Sequence, residues 1–249
     1  MALARVHGSE AGASFDILAR FESEDTRSHA EVMAPFARAA LQEAGVRGEE
    51  LDAILTGTGP GPFTGLRAGI VTARALGFAW SVPVYGMMSL TALAERAYQE
   101  RVFAQGGGAG EAEGAELLVA SDARRREVYS ARYRVNAEDY SLVDGPTVSP
   151  ASEILPGEGP SYAYGYGAGL YAETLRELGW DLVEAGEGIH PHAEYLLAAA
   201  ARRGHDALSP DTSALYLRDS DAKIPAAMLA RQQKQAARAT AQTVGQREG

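Results

Sequence analysis

Three features of the sequence predict an α/β fold. A short apolar strand at Asp52–Leu55 runs through a glycine-proline turn directly into a helix reaching Trp80, and a second short strand, Val82–Tyr85, follows that helix. A strand-glycine-helix pattern returns at Tyr162–Leu178. A helix placed between two short strands is the usual connection between parallel neighbours in one sheet.

At 249 residues the chain is long enough for one large domain or two small ones. Its 46% hydrophobic and 22% charged residues are ordinary for a globular protein. No apolar run is long enough to span a bilayer and no charged-then-apolar leader opens the sequence, so a cytoplasmic location is expected, with no membrane partner. The absence of cysteine excludes disulfides, thiolate metal sites and thiol nucleophiles. A formal charge of −10 argues against this chain being the main surface that grips a nucleic acid, because phosphate contacts need clustered Lys and Arg.

Ala2–Val6 and Phe15–Phe21 read as two strands of a hairpin across a Gly- and Ser-containing turn. Ser28-His29-Ala30-Glu31 fits a capping box, and the following helix keeps Val32, Met33, Phe36, Ala40, Leu41 and Ala44 on one face until Gly45 ends it. His29, in the first turn, reads as a solvent-facing residue and not as a catalytic one. Ile54 and Leu55 end the next strand. Gly57, Gly59 and Gly61 then permit backbone angles closed to other residues, with Pro60 and Pro62 stiffening the turn. The helix should start at Phe63 or Thr64. Gly65, Gly69, Ala73 and Gly77 recur every four residues and leave one face nearly bare, so another backbone can approach it closely. Glycine costs about 1 kcal/mol per interior helical position, so the stripe implies a compensating contact. Leu66, Ile70 and Leu76 flank the stripe, while Arg67 and Arg74, one heptad apart, share a different face. Neither familiar phosphate-binding pattern fits: counted from Gly57 and Gly59, Pro62 stands where a dinucleotide fingerprint needs its third glycine, and no P-loop lysine is present.

Ser89 can cap a helix running to about Gln99. Ala104–Glu116 is a glycine-rich polar run that reads as a flexible connection. The domain boundaries expected from it are 1–103, a linker 104–116, a second subdomain 117–222 and a mobile tail 223–249. Leu117–Ala120 resumes as a strand. From Glu127 the sequence alternates, with Tyr129, Ala131, Tyr133 and Val135 on one face and Val128, Ser130, Arg132 and Arg134 on the other. The five arginines between Arg124 and Arg134 read as a solvated strand and turn, with a minor RNA contact as the alternative. Asp122 and Glu127 have no third group to make an acid/base set and read as structural. His190-Pro191-His192 resembles a helix start at Glu194–Arg203 more than a metal site, so no metal is expected.

GTGPGPFTGLRAGIVTARALGFAWSVPVYGMMSL, beginning at Gly57, resembles the core motif of the TsaB (YeaZ-like) family. Asp122-Ala123-Arg124 followed by Glu127-Val128-Tyr129, and Tyr216-Leu217-Arg218, resemble further stretches of it in the right order. The resemblance implies the actin-like ATPase (ASKHA) superfamily fold in two subdomains. Relatives begin with an additional central strand carrying Asp-Thr or Asp-Ser, so this sequence is expected to lack their first strand. The implied role is a non-catalytic partner of a TsaD-type subunit in tRNA N6-threonylcarbamoyladenosine formation, alongside a TsaE-type ATPase, with tRNA met only through the complex. The family's interface helices map here to Val32 and Phe36 of the first helix and to Phe63, Thr64, Gly65, Leu66, Arg67, Gly69, Ile70, Val71, Ala73 and Arg74 of the second. A homodimer through the same helices is the alternative pairing. No cofactor is expected on the chain alone. ATP is expected at the partner junction, with Gly59, Gly61, Gly165 and Gly167 as candidate nucleotide contacts, although close strand-helix packing also accounts for the last two. In TsaD proteins two histidines bind the active-site metal; the matching positions here are Ser89 and Leu93, which are poor ligands. The rival implication is an enzyme of the same fold: a carbamoyl transferase, a kinase or a peptidase.

Overall fold

The chain begins with the expected hairpin: β1 (Ala2–His7) pairs antiparallel with β2 (Ser14–Arg20). This computed structural model describes residues 1–23, 29–100, 114–136, 138–184 and 189–218. Residues Met1–Leu217 form one unit; of the second, Arg218–Gly249, only Arg218 is described, so the expected tail 223–249 lies outside the described residues. Helix α1 (His29–Ala44) starts where the capping box placed it, but Ser28 and the His29 side chain also lie outside them. Gly45, at φ +65°, ends the helix as expected.

Helix α2 (Phe63–Trp80) connects β3 (Ile54–Gly57) to β4 (Val84–Met87) in the anticipated parallel β-α-β unit. Both strands run two residues later than the sequence suggested, with Ile54 opposite Val84 and Gly57 opposite Met87. Gly57 and Gly86 belong to the ladder because their neighbours leave no room for side chains. A Cβ on Gly57 would stand 2.7 Å from Ser89 Oγ, and one on Gly86 would overlap the Asp211 carbonyl oxygen. These glycines mark close approach and not the turn alone. Helix α3 (Leu90–Tyr98) follows, yet Ser89 does not cap it: its hydroxyl accepts the Gly59 N–H at 3.0 Å and ties the glycine turn to the helix start.

The largest sheet among the described residues has five strands in the order β7-β6-β5-β8-β9: β5 (Ala115–Asp122), β6 (Val128–Val135), β7 (Tyr140–Ser149), β8 (Ser161–Tyr164) and β9 (Asp181–Glu184). Strand β5 already includes Ala115 and Glu116, the last two residues of the expected linker; residues 104–113 of that linker lie outside the described residues. Strands β7 and β9 were not anticipated, and they form the two edges. Alternation along β5 makes two cores. Leu117 and Val119 meet Leu90, Leu93 and Tyr133 on the α3 side, whereas Leu118 and Ala120 meet Ala168, Leu175 and Trp180 under helices α4 (Tyr166–Leu170) and α5 (Ala172–Glu177). The helix expected to close the Tyr162–Leu178 pattern is therefore two short ones, the first starting at Tyr166. Helix α6 (Ala193–Arg203) packs with α3 and Met87 in a third cluster. Among the described residues β1 pairs only with β2, and β3 only with β4, so the first half holds two separate strand pairs.

Candidate partner-binding surface

One side of α2 is used up inside the chain. A Cβ on Gly77 would overlap the Val84 side chain and stand 2.8 Å from the Val82 carbonyl oxygen, and one on Gly69 would meet the Met33 methyl of α1 at 3.3 Å. Ile70, Ala73 and Gly77 are buried and Leu66 lies against Gly59. The close approach implied by the small-residue stripe is thus made by the chain's own β4 and α1. Phe36 of the expected interface also turns inward, stacking on Phe21 with ring centroids 5.6 Å apart, and Val32 is half-buried. Of the other residues proposed for the interface, Gly65 is half-buried while Thr64 is exposed.

The opposite side faces solvent. Phe63, Arg67, Val71, Arg74 and Phe78 follow one another at three- and four-residue spacing, and all five are exposed. Phe78 is 89% exposed and Val71 63%. This apolar pair, on a helix fixed through its other side, is open to a partner. Phe78 was missed in the sequence, although it stands one heptad beyond Val71 and the same periodicity reaches it.

The segment after α6 secures the start of this face. Arg67 lays its guanidinium 3.7 Å from the Phe63 ring centroid and donates from Nε to the Tyr216 hydroxyl at 2.6 Å. Phe63 and Tyr216 rings lie 5.5 Å apart. Arg74 Nε donates to Thr212 Oγ1 at 2.7 Å, and the Leu215 N–H donates to the Thr58 carbonyl at 2.8 Å. Asp211 stiffens this segment by accepting the Ser213 N–H at 2.8 Å; its hydrogen bonds with Ser213 hold its carboxyl below the usual carboxylate range. Arginines 67 and 74 are therefore oriented by their own chain, leaving Val71 and Phe78 as the open centre between and beyond them. Beside the face, at the C-terminal ends of α1 and α2, a groove of about 480 Å³ runs over Ala37, Leu41, Leu76 and Trp80, flanked by Arg38 and Arg47.

Three of the four candidate nucleotide glycines stand against neighbouring groups of the chain. A Cβ on Gly165 would stand 2.5 Å from the Ala120 carbonyl oxygen and one on Gly167 2.6 Å from Ser121 carbonyl carbon, so both are explained by packing against β5. Gly59 is occupied by Leu66, and only Gly61 has open space before it. The two positions matched to the metal-binding histidines are committed elsewhere: Ser89 to the Gly59 N–H, Leu93 to the core at 0% exposure. Among the described residues no group of three His, Cys, Asp or Glu could hold a metal ion. His192 instead stands at the N-terminus of α6, 3.3 Å from a Glu22 carboxylate oxygen.

The family model for TsaD, tRNA N6-adenosine threonylcarbamoyltransferase, matches residues 16–226. The chain belongs to the TsaD/YeaZ (TsaB) family. It is 42% identical over 133 residues to an uncharacterized protein of Mycobacterium tuberculosis, covering 53% of this chain and 54% of that one. To the tRNA threonylcarbamoyladenosine biosynthesis protein TsaB of Escherichia coli it is 28% identical over 211 residues, covering 80% and 85%. The chain spans about half the length of the mycobacterial relatives it matches. Among solved structures, YeaZ from Pseudomonas aeruginosa superposes with a TM-score of 0.64 at 30% identity, over 87% of this chain and 99% of that one. The α/β architecture is therefore that of YeaZ. No helix among the described residues is long and apolar enough to cross a membrane.

Proposed function

We propose that this chain is a non-catalytic subunit that binds a TsaD-type threonylcarbamoyl transferase through the exposed side of α2 and supports tRNA N6-threonylcarbamoyladenosine formation. The observation that carries the reading is the solvent-facing Val71 and Phe78 on a helix whose other side is locked by Gly69, Ala73 and Gly77. An interface built there sets the apolar Val71 and Phe78 alongside Arg67 and Arg74, and aromatic and Arg side chains are enriched in specific protein contacts. Commitment of Ser89 and Leu93 to structure supports the non-catalytic part. ATP, where it takes part, is placed at the junction with the partner, with Gly61 as this chain's remaining open glycine. A TsaE-type ATPase completes the assembly, which works in the cytoplasm.

The test is titration of the chain against the TsaD-type subunit from the same source. Phe78→Ala should weaken association about 30-fold or more, as truncation of an aromatic anchor costs about 2 kcal/mol or more, without altering the circular dichroism spectrum. Unchanged affinity would remove this face from the account. Self-association lost in the same variant would favour the homodimer instead. The family model names the transferase itself, and that observation keeps a second reading, an enzyme of the same fold, which ATP turnover or metal content in the isolated chain would establish.

The expected central strand belongs to the same proposal. Helix α6 touches both β1 and β3, so one strand laid between their open edges would join the two pairs into a single sheet. A version extended upstream in frame by at least one strand length, about 6 residues, should melt at a higher temperature; an unchanged melting temperature would contradict this arrangement.

A further inference from the structure

The turn between β5 and β6 places three consecutive arginines, Arg124, Arg125 and Arg126, at φ +61°, +57° and +66°. In this region an L-residue's Cβ crowds the following carbonyl oxygen; glycine takes it freely, and Asn or Asp are the usual substitutes. The turn is nevertheless closed and held. The Ala123 N–H donates to the Glu127 carbonyl at 3.1 Å, the Glu127 N–H returns a bond to the Arg124 carbonyl at 3.0 Å, and Asp122 accepts the Arg124 N–H at 2.7 Å. Ala123 and Val128 anchor its two ends in the interior, while all three arginines are exposed. Strain of this kind, kept where glycine would relieve it, points to a demand on the side chains themselves.

Within this stretch the Arg124 guanidinium pairs with the Asp122 carboxylate at 3.1 Å. Arg132 pairs with Glu116 at 3.1 Å and Asp144 at 2.8 Å, and Arg134 donates to the Gly114 carbonyl, so the strand's own positive charge is met within the sheet. The turn lies at the carboxyl end of the parallel strands β5 and β8, beside the start of α4, whose Gly167 abuts the Ser121 backbone. Open α/β sheets present their ligand-binding loops at that end. On a chain of net charge −10, three guanidiniums carried on a held, exposed turn suit a local phosphate contact better than a broad polyanion surface.

We infer that the Arg124–Arg126 turn contacts the phosphate backbone of RNA, as this chain's own small contribution to holding the tRNA bound by the complex. The inference rests on the proposed function. It extends it by giving the accessory chain a direct RNA contact, where the family resemblance implies tRNA held only through the partner.

The test uses the full chain assembled with its TsaD-type partner. Arg124→Gly, Arg125→Gly and Arg126→Gly are introduced together; because glycine accepts the left-handed backbone, the melting temperature of the chain should stay level or rise. Binding of unmodified tRNA is then followed by fluorescence anisotropy across a salt series. The variant complex should bind at least about tenfold more weakly at low salt, and the slope of log affinity against log salt should become shallower by about 2, as expected when two or three phosphate contacts are lost. The Arg125→Gly/Arg126→Gly variant, which keeps the Arg124–Asp122 pair, should show most of that change. Affinity and slope equal to wild type would overturn the inference, as would loss of partner association with tRNA affinity intact, which would make the turn a protein contact. A wild-type chain that never assembles with the partner fails in the association measurement itself, marking the loss of the functional reading and of this inference with it.

Discussion

Glu95 is fully buried, yet it is a carboxylate, and its surroundings explain how the fold tolerates it. It accepts hydrogen bonds from Arg202 Nε at 2.9 Å and Nη2 at 2.8 Å, from the Tyr140 hydroxyl at 2.9 Å and from Gln99 Nε2 at 2.7 Å. Arg202 in turn stacks over Tyr98, 4.4 Å from its centroid. One side chain thus joins α3, α6 and β7. Glu95→Ala strands the Arg202 charge and should cost about 3–5 kcal/mol in urea unfolding; a loss under 1 kcal/mol would mean the cluster is more hydrated than its geometry indicates. The neighbouring phenols give a pH signature. Burial raises the Tyr133 hydroxyl to about 12 and pushes Tyr140 higher, with the Glu95 charge adding to the shift of Tyr140. A raised acid group binds its proton more tightly when folded, so its stabilisation is complete below the unfolded value near 10 and is lost as pH rises through the folded one. Stability should therefore fall above about pH 10, and Tyr133→Phe should flatten part of that fall. None of this was legible in the sequence: beside Gln99 one turn on, Glu95 looks like any helical glutamate, because Tyr140 and Arg202 stand 45 and 107 positions away.

Helix α2 was the most legible element, and both its ends were anticipated. The glycine-proline turn and an uninterrupted helical pattern are both local signals, and here they agree. What they could not say was which neighbour the small-residue stripe admits. Gly77 is set against Val82 and Val84, so Gly77→Ala should destabilise the chain by about 1–3 kcal/mol through overpacking. Phe78→Ala, one residue on but facing solvent, should change stability by no more than about 0.5 kcal/mol. A thermal or urea melt of the two variants separates the faces, and equal losses would contradict the orientation assigned to the helix. The missed strands β7 and β9 are sheet edges. In β7, Leu142 and Val143 are both exposed, so the apolar alternation that marks a half-buried strand is absent there. Strand β9 has only four residues. The break at Tyr171 that divides α4 from α5 likewise has no proline to announce it.

For the molecule as a whole, the fold class followed from two strand-glycine-helix junctions, and family membership from the residues around the first of them. The candidate surface was half legible: Phe63, Arg67, Val71 and Arg74 stand on it, whereas Phe36, Gly69, Ile70 and Ala73 pack inward. Phe78 and Tyr216 complete it, the latter brought beside Phe63 by a chain return of 149 positions from Arg67 that no local pattern encodes. The net charge of −10 fits the proposal that a partner subunit holds most of the RNA. The central claim, that this chain supports a transferase without being one, is tested most directly by reconstitution. Threonylcarbamoyl transfer to tRNA is measured with the TsaD-type and TsaE-type subunits from the same source, with and without this chain. The account predicts that transfer depends on the chain, that Phe78→Ala lowers it, and that the chain alone neither hydrolyses ATP nor modifies tRNA. Transfer proceeding equally well without the chain, or sustained by the chain alone, would contradict it.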